Sequence, residues 1–425
     1  MENKKGIKSF PRNYWTVIIM EFFERGSYYS VMSILSVYLV LNAEEGGLGF
    51  TRENVGVIKS TITPLLYILP ILSGAIADRY GYRKILMGAY VVMSLGYFLS
   101  GESTSYTTIF ASLLLMVCGA GFFKPLISGT IARTTNEENS TLGFGIFYWT
   151  INLGAFLFPL ILVPILKEIS YSYIFYMAAF MTGSMLLLTI FMYKEPERPK
   201  TTKKISKVLM DAVEVLKDYR FISLIAIYSL FWILYFQMFD TVLWYVKDYV
   251  NAEPLNIQIN KFLALFMDNP NWKFDIEHVT VLNAGTIICL QILVSGIVKH
   301  FKALPTMIVG ISMGTIGMAV LAISTSIWVF VIGIVIFTIG EMIAHPKFLS
   351  YVGIIAPEDK KALYLGYSFL YGVIGSGVGG ILGAFLYVHF VDKMQEPQML
   401  WLIFSSIGLL TIIGLLLYNK VVKNK

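Results

Sequence analysis

Glu21, Glu24, Arg25, Tyr28 and Tyr29 fall within "EFFERGSYYS", inside a stretch otherwise apolar enough to cross a membrane. On a helix these positions share one face, so the five side chains form a single polar stripe, while Phe22, Phe23 and Gly26 point elsewhere. A charge at the bilayer centre costs roughly 2.5–3.5 kcal/mol on insertion scales, so the stripe must turn away from lipid and toward a water-filled cavity. A structural ion pair needs one carboxylate and one base. Here two carboxylates accompany one guanidinium, and the surplus carboxylate is suited to carry a proton. Burial favours its neutral form and the arginine its charged form, so a change of pairing loads or releases the proton.

Further charges interrupt other apolar runs: Lys124 in "GFFKPLISG" and Glu341 in "GEMIAHPKFLS". Cations at one end of a site and an anion at the other would hold a zwitterion, with the arginine fork gripping a carboxylate. His345 lies one turn after Glu341. It either pairs with that carboxylate and titrates near neutral pH or is bonded to backbone, which is the preferred reading. Lys347 is read as snorkelling to the interface. No Ser/His/Asp set, metal cluster or phosphate loop is present, so the expectation is a non-enzyme with no cofactor and no metal, using protons alone as coupling ion. The glycines of "YGVIGSGVGGILGA" suit close helix packing rather than a nucleotide turn.

These residues must be positioned by membrane helices. The chain of 425 residues is 56% hydrophobic and 14% charged, with mean hydropathy +0.68, far from a soluble domain's quarter charged. Apolar runs of about twenty residues exclude a β-barrel. Twelve spans are expected, at roughly 14–41, 55–77, 83–101, 106–132, 142–166, 172–193, 220–248, 278–299, 304–324, 327–354, 362–390 and 397–419. The first is too long for a signal peptide. The longest charged stretch separates two sets of six spans. The expected organisation is therefore a six-helix bundle over 1–193, a cytoplasmic linker over 194–219 and a second bundle over 220–425. Two-lobed transporters use this 6+6 arrangement, with the substrate at the lobe interface; no strong identity links the halves.

Net charge is +6, but its basic residues sit in short loops, which argues against nucleic acid. Lys4, Lys5, Lys8 and Arg12, then Arg79, Arg83 and Lys84, then the linker cluster Lys194, Arg198, Lys200, Lys203, Lys204, Lys207, Lys217 and Arg220, then Lys299 and Lys302, and the terminal "NKVVKNK" all fall on one side. That side is expected to be cytoplasmic, with both termini on it, in a multi-pass cell-membrane protein. The stretch from Asn251 to Glu277 is then external, with "MDNPNW" as a turn. "ISKVLMDAVEVLKDY" in the linker is amphipathic, either lying on the inner membrane surface or solvated. Cys118 and Cys289 lie in apolar segments and suggest no disulfide.

"GAIADRYGYRK", from Gly74 to Lys84, resembles the signature of the major facilitator superfamily. Gly74 would allow close packing and Gly81 a tight turn. In that family the aspartate, here Asp78, helps latch the halves in one state, with Arg79 and Arg83 beside it. The first-span stretch resembles the Glu-x-x-Glu-Arg-Phe-x-Tyr-Tyr signature of the proton-dependent oligopeptide transporters within the superfamily. Lys124 before Pro125, "FGIFYWTINLGAF" with Asn152 and Gly154, and Glu341 in the tenth span continue the resemblance in register along nearly the whole chain.

The resemblance implies a major facilitator fold and proton-coupled import of di- and tripeptides, or related small zwitterions, by alternating access. Arg25 would meet the peptide carboxylate, helped by Tyr28, Tyr29 and Lys124. Glu21 and Glu24 would exchange partners with Arg25 and Lys124 as protons load. Glu341 would take the amino group and join the proton-coupling set. Asn152 and Asn283 would bond the peptide backbone, and Tyr67 would line the pocket. The expected partners are the substrate, protons and the lipid bilayer, with the chain a monomer. Some positions depart from the family pattern. Gly26 replaces a phenylalanine, which should thin packing beside the site. Phe236 stands where many members have a glutamate before Gln237, leaving Asp240 or His345 as substitutes. The eleventh span lacks a tryptophan near Tyr367 or Tyr371. The linker, at about 26 residues, is too short for two extra helices. Other readings on the same fold are a proton-coupled exporter of drugs or metabolites and a non-transporting membrane sensor or scaffold.

Overall fold

The computed structural model describes residues 6–136, 138–197 and 205–423. Lys4, Lys5, Arg198, Lys200, Lys203, Lys204 and Lys425, which carry part of the charge asymmetry, lie outside them. The described chain is helical, with one isolated bridge between Asn251 and Ser326. It packs as two units: 1–32, 43–48 and 61–217 form the first, and 33–42, 49–60 and 218–425 the second.

The first unit takes most of α1 (Arg12–Val40) and α2 (Arg52–Tyr80), then α3 (Tyr82–Glu102), α4 (Tyr106–Thr134), α5 (Ser140–Leu157), α6 (Val163–Ile169), α7 (Tyr171–Phe191) and α8 (Ile205–Leu216). Gly81 joins α2 to α3 at φ 101°, a left-handed conformation that glycine adopts without steric cost. Ser105 starts α4 in a reciprocal capping box with Thr108. A π-helical turn, Phe158–Leu162, joins α5 to α6. Gly96 lies against Met116 and Gly119 against Ala89 and Met93, so α3 and α4 approach backbone to backbone. Gly74 makes no such contact: a Cβ there would meet nothing within 4 Å. The close approach of this part of α2 is made instead by Ser73, whose hydroxyl donates to the Gly121 carbonyl at 3.1 Å. In α8, Val215 is buried while Val213 and Leu216 are exposed.

The second unit holds α9 (Tyr219–Phe236), α10 (Thr241–Tyr249), α11 (Glu253–Leu263), α12 (Glu277–Val298), α13 (Ala303–Val320), α14 (Ile327–Ile355), α15 (Lys361–Tyr367), α16 (Leu370–Leu386) and α17 (Pro397–Lys423). The ends of α1 and α2 nearest their connecting loop pack here too. Asp218 caps α9 by accepting from the Arg220 and Phe221 amides. The seventh span breaks between α9 and α10 at a 3-10 turn, Gln237–Phe239. Gln237 compensates: its amide donates to Ile233 and Gly379 carbonyls, and its oxygen accepts from Thr241. Glycines 310, 314 and 317 of α13 meet 333 and 340 of α14 at backbone distance, Gly375 and Gly379 of α16 meet the backbone of α9, and Gly383 meets the side chains of Gln237 and Thr241. The turn in "MDNPNW" forms, with Asn269 at φ 50°, and α11 precedes it.

Eleven helical segments among the described residues are long and apolar enough to cross a membrane. The twelfth expected span is α1. It is 29 residues long, and Glu21, Glu24 and Arg25 interrupt its apolar run.

Candidate substrate and proton site

In the first unit α1 carries the stripe that helical spacing predicted. Arg25 Nε lies 2.5 Å from Glu24 Oε2 and Nη2 lies 2.7 Å from Oε1, a bidentate fork. Glu21 Oε1 is 3.5 Å from Nε of the same guanidinium. Glu24 is fully buried, with Glu21 at 3% and Arg25 at 4% exposure, so one buried cation is shared by two buried carboxylates. The guanidinium sits 4.9 Å from the Tyr28 ring centre, and Tyr28 meets Tyr29 edge-on at 5.3 Å. Lys124 lies over the Tyr67 ring at 5.3 Å, within electrostatic reach of Glu21, Glu24 and Arg25.

Two small residues set this geometry. A Cβ on Gly154 would lie 2.8 Å from the Phe22 carbonyl and 3.3 Å from Arg25 Cβ, so α5 touches α1 behind the arginine. A Cβ on Gly26 would lie 2.5 Å from the Phe158 ring. The expectation that Gly26 thins the packing is therefore overturned: Phe158, from the π-helical turn, fills the space, meeting Phe22 at 5.4 Å and Phe23 at 6.0 Å. Asn152, buried on α5, donates to the Tyr148 carbonyl of its own helix at 2.9 Å.

At the α2–α3 turn, Asp78 accepts from Arg133 of α4 at 2.8 Å and from the Tyr82 hydroxyl at 3.2 Å. Arg83 donates to the Thr189 and Ile190 carbonyls at the end of α7, a C-terminal cap by a cation. Glu195 accepts from the Tyr82 and Arg83 amides. Arg79 is exposed and lies against Tyr80.

In the second unit Asn283 of α12 donates to Glu341 of α14 at 3.2 Å and to Thr338 at 3.0 Å. The carboxylate is thus held by a neutral amide. His345, one turn on, packs against Trp232 at 5.5 Å and Tyr371 at 5.8 Å. Its Nδ1 is buried with no hydrogen-bond partner among the described residues, so the preferred backbone-bonded reading does not hold at that nitrogen; aromatic rings surround it instead. Lys347 is buried, and its ammonium donates at 2.7 Å to the carbonyl of Phe301, in the turn between α12 and α13. Trp232 of α9 lies against Tyr371 at 4.4 Å.

Asp240, at the break in the seventh span, pairs with Lys59 of α2 at 3.0 Å and lies 2.7 Å from the Ser36 hydroxyl of α1. Arg52, at the start of α2, reaches Asp392 at 3.0 Å and Asp248 at 2.6 Å and stacks on Tyr387 and Trp244. Sequence reading missed these partners. Lys59 had a usable signal, a charge within an apolar span. Arg52, Asp248 and Asp392 lie at span ends, where charges are ordinary.

A family model described as Major Facilitator Superfamily matches residues 15–268. The chain is 30% identical over 209 residues to the di-/tripeptide transporter of Lactococcus lactis subsp. lactis (strain IL1403), covering 45% of this chain and 41% of that protein. The chain thus matches about two fifths of that relative's length. It is 23% identical over 487 residues to dipeptide and tripeptide permease B of Shigella dysenteriae serotype 1 (strain Sd197), covering 96% and 94%. A crystal structure of a peptide transporter POT in complex with sulfate superposes with TM-score 0.80 at 19% identity, covering 99% of this chain and 96% of that one.

Proposed function

The chain belongs to the Major Facilitator Superfamily, and from that premise we propose that it is a proton-coupled symporter importing di- and tripeptides or related small zwitterions. The observation that carries this reading is the buried Glu21–Arg25–Glu24 cluster, two carboxylates on one guanidinium. In the proposal a substrate carboxylate competes for Arg25, aided by Lys124, Tyr28, Tyr29 and Tyr67. A carboxylate that loses Arg25 inside a low-dielectric site takes up a proton. Uptake of peptide and proton are thereby linked, because neither buried carboxylate is stable both ionised and unpaired. Glu341 receives the substrate's amino group, its bond from Asn283 leaving oxygen lone pairs to accept it. Asn152 and Asn283 serve the peptide backbone.

Alternating access belongs to the same proposal, with Asp78, Arg79 and Arg83 near a cytoplasmic latch and Asp240 carrying the seventh span's charge. The distribution of lysine and arginine supports cytoplasmic termini. Relatives named as di- and tripeptide transporters support the substrate class.

The test is ligand-induced thermal stabilisation of the purified protein. Dialanine should raise the unfolding midpoint, and N-acetyl-dialanine and dialanine amide, each lacking one charged pole, should not. Equal stabilisation by the blocked forms, or by none of the three, would remove the zwitterion reading.

A further inference from the structure

Two tyrosines of α3 have no role in the site described so far. Tyr90 and Tyr97 are both 0% exposed. They are seven residues apart, two helical turns, so they share one face. Neither hydroxyl has a hydrogen-bond partner among the described residues. Buried hydroxyls are ordinarily bonded, and others in the same unit are: Ser100 donates to Gly96, and Thr130 meets Tyr193. Phenylalanine would fill the same volume without stranding a polar atom.

Glu24, Glu21 and Tyr193 lie within electrostatic reach of Tyr90, and Glu24, Arg25 and Tyr28 within reach of Tyr97. Glu24 is common to both. In this arrangement its two oxygens are engaged by Arg25. Once Arg25 turns to a substrate carboxylate, Glu24 needs other partners, and the two tyrosines of α3 are buried within reach of its field.

We propose that Tyr90 and Tyr97 are positioning residues for proton transfer at Glu24, their hydroxyls becoming its hydrogen-bond partners, directly or through water, when Arg25 is withdrawn. The inference rests on the proton-coupled reading above. A tyrosine hydroxyl both donates and accepts. It donates to Glu24 while that group is ionised and accepts from it once protonated. The proton comes from water on the side of uptake and forms the carboxyl O–H bond; the tyrosines keep their own. The other ionisable groups near Glu24 are Glu21 and Arg25 on α1 and Lys124 on α4, with Tyr28 and Tyr29 beside Arg25. They stay in place in the variants below.

The experiment compares the full chain with Tyr90→Phe, Tyr97→Phe and the double variant in proteoliposomes, with labelled dialanine as probe. Two rates are read: uptake driven by an inward proton gradient, and counterflow exchange with no gradient, which needs binding and conformational exchange but no net proton movement. The expected result is driven uptake lowered about tenfold in each single variant, the order given by one lost hydrogen bond to a charged group, and lowered further in the double variant. Counterflow stays within about twofold and the pH profile of driven uptake is displaced. Unchanged driven uptake with an unchanged pH profile would overturn the proposal. So would driven uptake and counterflow falling together, the signature of a packing role. A native protein with counterflow but no gradient response would overturn the proton-coupled reading and this inference with it.

Discussion

Phe158 occupies the space that a side chain on Gly26 would need, so the two residues form a complementary pair contributed by different elements. Restoring a phenylalanine at position 26 should overpack the site and lower stability by about 1–3 kcal/mol. Gly26→Phe is expected to melt below the native protein, with Phe158→Gly in the same chain recovering much of the loss. Thermal unfolding in detergent measures both, and a single variant as stable as the native protein would contradict the packing. At the other pole, Glu341→Gln should weaken dialanine binding about tenfold or more, the scale of a hydrogen bond to a charged group, while any residual binding of N-acetyl-dialanine is unmoved. Equal losses for both ligands in a titration would mean Glu341 does not read the amino group. The stripe from Glu21 to Tyr29 was legible because its partners are three, four and seven residues apart on one helix. The Asn283–Glu341 bond and the Phe158 plug were not, because each joins residues far apart in the chain whose register is set by helix packing.

At the scale of elements, the seventh span is two helices, α9 and α10, with Asp240 at their junction. Its partner Lys59 is 4% exposed and Asp240 5%. Removing one member of such a buried pair leaves the other charge stranded, at a cost of about 3–5 kcal/mol, whereas replacing both with apolar groups is often close to neutral. Asp240→Asn should therefore lower the unfolding midpoint strongly, and Lys59→Met combined with Asp240→Leu should restore most of it. A double-mutant cycle on thermal stability gives the coupling; additive losses would show the pair to be incidental. Hydropathy located the span but not its break, since Gln237 and Thr241 replace the missing backbone bonds with side-chain ones and leave no glycine or proline as a marker. The helix α11 was likewise unmarked: a polar connector reads as loop until Asn256 and Asn260 are seen bonding the backbone at Phe274 and Trp272.

For the whole molecule, the apolar runs were enough to indicate an all-helical membrane protein. Nothing in hydropathy indicated that 33–42 and 49–60 pack with 218–425, because that grouping follows from long-range partners such as Ser36 and Lys59 on Asp240. The shared arginine belongs to the first unit and Glu341 to the second. On the proposed reading the shared arginine links peptide to proton. The measurement that tests it most directly is uptake of labelled dialanine into proteoliposomes under an inward proton gradient, before and after a protonophore, for the native chain and Arg25→Ala. The expected result is accumulation above equilibrium in the native protein, its collapse with the protonophore, and none in the variant. Accumulation that survives the protonophore, or that persists in folded Arg25→Ala, would contradict it.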